Sequence, residues 1–80
     1  MRLQYAREVT KALRVLGEGG AGIRRAIEAL QRTPRPTDAR AITERPGYYE
    51  LFIDGFWIGY RIDESDPAET VITILLVDEN

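Results

Sequence analysis

The groups that could do chemistry in this sequence are those of arginine, lysine, the carboxylates, tyrosine and the backbone, because the 80 residues include no cysteine and no histidine. That composition removes thiolate nucleophiles, imidazole bases, disulfides and nearly every zinc site. An arginine can hold a phosphate or a carboxylate, a carboxylate can accept a proton and a tyrosine can donate one. We therefore expect no cofactor and no metal, and we look for function in these groups or in a binding surface.

The charges are divided unevenly along the chain. Residues 1–45 hold ten Arg and Lys against five acids, whereas residues 46–80 hold one Arg against eight acids, so the net charge of −2 conceals a +5 half and a −7 half. Such a division indicates either a charged partner surface or two halves of one domain that pack against each other.

Three cations near the N-terminus follow helical spacing. Arg7, Lys11 and Arg14 stand at i, i+4 and i+7, which places them on one helix face. We call them the basic ridge. A ridge of this kind is usually a solvated face, and its functional interpretation is contact with an acidic partner segment or with nucleic acid.

The segment "YYELFIDGFWIGYRI", residues 48–62, alternates on both sides of Asp54-Gly55, the dipeptide that favours a two-residue type I′ turn. That turn predicts a β-hairpin in which Leu51 faces Ile58 and Phe52 faces Trp57. Successive strand side chains point to opposite faces. The inner face would carry Tyr49, Leu51, Ile53, Phe56, Ile58 and Tyr60, and the outer face Tyr48, Glu50, Phe52, Trp57, Gly59 and Arg61.

The outer face is unusually apolar for an exposed sheet. Phe52 and Trp57 lie opposite each other in this register, Tyr48 is near, and Leu76 joins them if the last strand presents it on the same side. A contiguous exposed apolar patch usually marks a binding site, and the arginine Arg61, the only cation expected on this face, fits the composition of an interface centre. The alternative is that the C-terminal tail or a loop covers the patch.

The elements that position these residues can be predicted from the apolar periodicity. A first helix is expected over residues 4–16, with a short strand over residues 2–5 as an alternative because "LQY" fits either period. Glycines in "GEGGAG" end it, and a second helix with an apolar face of Ile23, Ala26, Ile27 and Leu30 runs to "TPRP". Two short helices joined by a glycine turn predict an antiparallel helical hairpin.

Beyond the linker "RTPRPTDAR" the pattern is that of strands. "AIT" fits a short strand, and the hairpin follows it. The segment "TVITILLV" is apolar on both faces, which indicates a strand buried on both sides or covered by a partner. We predict one domain, residues 1–80, of the α+β class, with an N-terminal helical hairpin packed on one face of a small antiparallel β-sheet. No apolar run approaches the ~20 residues of a membrane span and the N-terminus is charged, so a cytoplasmic protein is expected.

The order of helix, helix, Pro-rich linker, hairpin and apolar last strand resembles the RelE/ParE toxins of bacterial type II toxin–antitoxin systems. The resemblance spans roughly residues 6–77 and is densest at "TPRPTDARAITERPGYY" and "DGFWIGYRID". It implies a toxin-like fold, an antitoxin partner and a cellular target. The residues that match the family pattern are Arg35, Pro36, Arg45, Pro46, Gly47, Tyr49, Leu51, Gly55, Ile58, Tyr60 and Arg61.

The sequence departs from RelE-type ribonucleases at the outer face. The resemblance implies that such enzymes cut RNA with basic residues on the outer sheet face and with an Arg and a Tyr near the C-terminus. In this sequence the outward positions are instead occupied by Glu50, Phe52 and Trp57, and "DEN" follows the last strand. Carboxylates and aromatic rings do not neutralise a phosphodiester. The pattern therefore favours protein contact over RNA cleavage, and contact with nucleic acid or the ribosome is not supported by the acidic sheet face.

Three functions are compatible with these features of the sequence. The first is a toxin-like component that acts by binding an antitoxin and a cellular target, as ParE-like members do; its interface residues would be Tyr48, Phe52, Trp57, Arg61 and Leu76. The second is a ribosome-dependent mRNA endoribonuclease with Arg45, Arg61 and Glu50 as its acid/base set. The third is a degenerate toxin fold that serves as a dimerisation module, with Phe52 and Trp57 buried between two copies. A small antitoxin reading frame beside the gene would distinguish the first from the third.

Overall fold

A computed structural model describes residues 1–79 as an α+β fold in which helices lie on one face of a five-stranded mixed sheet. The strand order is β1-β5-β4-β3-β2. The elements, in chain order, are β1 (Arg2–Tyr5), α1 (Arg7–Leu16), a 3-10 turn (Gly17–Gly20), α2 (Ala21–Ala29), β2 (Arg40–Ala41), β3 (Tyr48–Ile53), β4 (Phe56–Asp66) and β5 (Glu69–Glu79).

The predicted hairpin register is confirmed. Leu51 pairs with Ile58 and Phe52 with Trp57, and the turn residues Asp54 and Gly55 both have positive φ angles, +52° and +81°, as a type I′ turn requires. Alternation then follows from the pleat of the strands. Leu51, Ile58 and Tyr60 are buried on the inner face, and the remaining inner positions pack against that core.

The N-terminal segment corrects the predicted sheet. Of the two alternatives, the strand is the one formed: β1 lies beside β5 and runs parallel to it, with Leu3 opposite Ile72, so the sheet is mixed and not wholly antiparallel. The helices carry the chain from this edge of the sheet to the opposite edge, where β2 lies. Because no short hairpin turn connects β1 to β5, these two strands can run parallel. The first helix consequently begins at Arg7 and not near residue 4.

The predicted antiparallel helical hairpin is wrong. Gly17, at φ +55°, ends α1 as expected, and its N–H bonds to the carbonyl of Leu13. The glycines that follow form a 3-10 turn that leads directly into α2 without a reversing loop. Arg24 of α2 donates hydrogen bonds to the carbonyls of Leu13 and Gly17, so its side chain satisfies backbone acceptors at the end of α1.

The core lies between the helices and the inner sheet face. The predicted apolar face of α2 is confirmed, since Ile23, Ile27 and Leu30 are buried and Ala26 is partly buried. The buried residues are Val9, Leu13, Ile23, Ile27, Leu30, Leu51, Ile58, Tyr60, Ile62, Ile72 and Ile74.

Strand β5 is covered less completely than its apolar sequence indicates. Ile72 and Ile74 are buried on the inner face, but Leu75 and Leu76 remain 38% and 49% exposed. The pairing of β4 with β5 shifts register between Gly59 and Tyr60, which leaves Leu75 as an extra residue in β5. β1 pairs only with residues 71–74, so within the described chain residues 75–79 have a strand neighbour on the β4 side alone.

No helix within residues 1–79 combines the length and the apolar character that crossing a membrane requires.

Candidate functional site: the outer sheet face

The outer face of the sheet carries an apolar patch at its centre. We call Phe52, Trp57 and Leu76 the aromatic patch. The rings of Phe52 and Trp57 lie 4.8 Å apart between centroids at an interplanar angle of 52°, the cross-strand contact predicted from the turn. Phe52 is 46% exposed and Trp57 is partly buried. The helices pack on the opposite face, so the described chain leaves these rings uncovered.

Leu76 joins the patch because Gly59 leaves room for it. Gly59 stands opposite Leu76 in the β4–β5 ladder, and a Cβ added at Gly59 would lie 3.3 Å from the Cβ of Leu76. The leucine side chain therefore approaches the strand backbone at a point where the face has no side chain of its own. The expectation that Leu76 lies on the side of Phe52 and Trp57 is met by this register.

Charged and polar residues surround the aromatic patch. Asp78 lies opposite Trp57 on β5. Glu50 lies next to the patch on β3, where Arg40 of β2 donates a 2.8 Å hydrogen bond to its carboxylate. An apolar centre within a polar rim is the usual anatomy of a protein interface.

The far end of the outer face is basic, and this corrects the expectation that Arg61 is the only cation there. Arg61 lies opposite Tyr48, and the guanidinium carbon of Arg45 lies 5.0 Å from the centre of the Tyr48 ring. Arg40 lies on the same face through its bond to Glu50. A two-residue strand carries no readable period, so the sequence does not reveal which way Arg40 points.

A carboxylate partly offsets this positive charge. Asp63 lies 3.7 Å from Arg61, and Ser65 donates two hydrogen bonds to it. These bonds from Ser65 lower the pKa of the Asp63 carboxyl and keep it charged. Arg45 has no carboxylate partner within the described residues, so it is the cation on this face that is open to a ligand.

The basic ridge is exposed on α1, as its spacing predicts. Arg7, Lys11 and Arg14 form no ion pair with any carboxylate of residues 1–79. The ridge is on a helix and the aromatic patch is on the opposite side of the sheet, so the two do not form one site.

A polar cluster that sequence reasoning missed lies at the inner face and the linker. Arg35 donates to the Tyr49 hydroxyl at 2.9 Å and to the Glu64 carboxylate at 2.6 Å, and Tyr60 donates to the carbonyl of Pro34 at 2.8 Å. The hydrogen bonds that Arg35 donates to Glu64 and Tyr49 raise the pKa of its guanidinium. These contacts fix the linker onto the sheet. The signal available in the sequence was the pair of inward tyrosines, whose hydroxyls need partners when the rings are buried.

Comparison with known proteins gives no match to this chain among protein-family models, curated proteins or solved structures. The described residues include no group of carboxylates arranged to hold a metal ion. The RelE/ParE-like assignment therefore remains a proposal, and its support is the set of residues that match the family pattern.

Proposed function

We propose that this protein is a cytoplasmic, toxin-like component of a type II toxin–antitoxin system and acts by binding other proteins through its outer sheet face. The observation that carries the proposal is the uncovered aromatic patch, where Phe52, Trp57 and Leu76 stand together on a sheet face that no other element of the described chain covers.

The energetics support an interface at this position. Two aromatic side chains bury roughly 150–250 Å² each when covered, which at about 25 cal/mol per Å² amounts to several kcal/mol before the costs of association. Neither ring supports the intramolecular core, since that core lies on the opposite side of the strands. Burial of the two rings against a partner therefore contributes to the free energy of association and not to the packing of the core.

The toxin-like part of the proposal has a separate support in the sequence. The segments "TPRPTDARAITERPGYY" and "DGFWIGYRID" resemble RelE/ParE toxins, and several of the matching residues have defined positions here. Arg35 and Tyr49 contact each other in the linker cluster, while Gly55 forms the hairpin turn. The partners implied are an antitoxin and a cellular target.

The test is co-expression with any small protein whose reading frame adjoins the gene, since an antitoxin would be encoded there. We expect the double change Phe52→Ser with Trp57→Ser to abolish co-purification of that protein while circular dichroism shows an intact fold. Val15→Ser is the matched control, because Val15 is an 87% exposed apolar residue on α1, away from the patch. Retained binding by the double variant would overturn the proposed interface, and unfolding of the variant would show that the rings belong to the core.

One observation favours ribonuclease activity as a second candidate function. Arg45 and Arg61 both lie against Tyr48, so the acid/base set considered for cleavage is on one face together with Glu50. Glu50 is already bound to Arg40, however, and Asp63 sits beside Arg61. A carboxylate oxygen that already accepts a hydrogen bond from an arginine is less available to accept a proton from a substrate hydroxyl.

A further inference from the structure

We propose that a second copy of this chain covers the outer face, packed face to face with its strands antiparallel to the first about a two-fold axis. The inference rests on the proposed function of this face as a protein interface, and it names the occupant of the face when no antitoxin is bound.

The outer-face residues lie in rows across the sheet because the strands pair in register. The row nearest the hairpin turn, the turn row, contains Asp78, Trp57 and Phe52. The middle row contains Leu76, Gly59, Glu50 and Arg40. The far row contains Thr73, Arg61 and Tyr48.

A two-fold axis along the middle row exchanges the turn row of one copy with the far row of the other. Trp57 then meets Arg61 of the second copy, which makes a cation–π contact, and Phe52 meets Tyr48 of the second copy. Leu76 meets the same leucine across the axis, above the hollow at Gly59. Facing sheets pack about 10 Å apart with strand directions within about 30°, which keeps these side chains within reach of each other.

The charges select the antiparallel arrangement. The turn row carries Asp78, whereas the far row carries Arg61 with Arg45 stacked on Tyr48. Antiparallel packing brings Asp78 beside Arg61 of the second copy, and the symmetry repeats that contact. Parallel packing would place Arg61 against Arg61. The middle row meets itself across the axis, so Glu50 faces Glu50 of the second copy and Arg40 faces Arg40. The 2.8 Å hydrogen bond between Arg40 and Glu50 within each copy offsets both like-charge contacts.

The test is a charge exchange measured by sedimentation equilibrium on the full chain over a concentration series. We expect Arg61→Glu and Asp78→Arg each to raise the dimer Kd about tenfold, because each reversal replaces two attractive contacts with two repulsive ones. The double variant should recover most of the lost affinity. Arg32→Glu and Asp38→Arg, exposed charges on the linker side of the molecule, should leave the dimer Kd unchanged.

Several results would overturn the inference: a wild-type monomer at every concentration, a dimer insensitive to the single changes, or a double variant no tighter than the singles. If a single variant unfolds, a salt titration of the wild type decides, since the dimer should weaken with added NaCl and an unchanged Kd contradicts the charge contacts.

A monomer that still binds another chain through Phe52 and Trp57 overturns self-association alone. A dimer with the expected charge response, and no other partner at the patch, overturns the toxin-like function alone.

Discussion

At the scale of single residues, Tyr60 shows how a buried hydroxyl is accommodated. Its ring is fully buried and stacks on Tyr49 with centroids 5.6 Å apart, and its hydroxyl donates to the carbonyl of Pro34. The carbonyl belongs to the linker between α2 and β2, so one hydrogen bond joins the core to a segment without regular structure.

Tyr60→Phe should lower the free energy of unfolding by about 1 kcal/mol, because the change leaves the Pro34 carbonyl without its donor while the ring still fills its site. Urea denaturation measures this loss. Tyr49→Phe is the comparison: the Tyr49 hydroxyl takes part in an exposed contact with Arg35, and a smaller loss is expected. Equal losses in the two variants would contradict the special role of the Tyr60–Pro34 bond.

The same residue predicts a loss of stability in alkali. Burial, followed by the nearby Tyr49, raises the pKa of Tyr60 from 10.0 to about 12. Above pH 10 the unfolded chain releases this proton while the folded chain retains it, so the free energy of unfolding falls as the pH rises from about 10 to about 12. Urea denaturation at a series of pH values measures the slope. In Tyr60→Phe the slope should be shallower, and identical slopes would contradict the assignment.

At the scale of elements, the hairpin turn is defined by backbone geometry. Gly55 has φ +81° and a Cβ added there would meet no atom within 4 Å, so its requirement for glycine is conformational and not steric. The turn sets the register that places Phe52 beside Trp57. A change in this turn therefore affects the aromatic patch as well as stability.

Gly55→Ala should lower the free energy of unfolding by about 1 kcal/mol through backbone strain alone. Gly19→Ala is the matched control, since its added Cβ also meets nothing within 4 Å and its φ is not positive. The control should be neutral or slightly stabilising in thermal or urea denaturation. Equal stability of Gly55→Ala and wild type would contradict the type I′ turn.

The basic ridge gives a second prediction at this scale. If Arg7, Lys11 and Arg14 contact an acidic partner, changing all three to Gln should weaken binding of the co-expressed partner and flatten its salt dependence. Arg25 and Arg32, both exposed and outside the ridge, provide a control double change to Gln. An unchanged affinity and salt slope would leave the ridge a solvated helix face.

The parts of the fold that the sequence predicts are those governed by local rules. The Asp54-Gly55 turn and the period of two specified the pairing of Phe52 with Trp57 and the placing of Leu51 in the core. The parallel pairing of β1 and the bond from Arg24 to α1 depend on residues far apart along the chain, for which no local pattern exists. The presence of Arg40 and Arg45 on the outer face was missed for the same reason, because both precede the hairpin and reach its face only in three dimensions.

At the scale of the whole molecule, the charge distribution bears on the target. The outer face presents a basic end, an apolar centre and Asp78 beside the turn. RNA binding requires cations spread along a path, since each neutralised phosphate contributes to affinity. The face has one open cation, Arg45, and its other arginines lie beside carboxylates.

We therefore expect no ribosome-dependent cleavage of mRNA by the purified protein in a translation extract. Primer extension on a translated transcript measures cleavage at single-nucleotide resolution. Cut transcripts that disappear with Arg61→Ala or Arg45→Ala would contradict this expectation and support the second candidate function.

The partly unpaired strand β5 has a consequence for the behaviour of the protein at high concentration. Its last five described residues have no strand on one side, and an exposed apolar strand edge is a template for uncontrolled sheet growth. Two features oppose such growth: the bulge at Leu75, which distorts the edge, and the adjacent acids Asp78 and Glu79, which repel a like strand. These two carboxylates thus act as gatekeepers against fibre formation, and replacing them with Asn and Gln would remove that protection without changing a core residue.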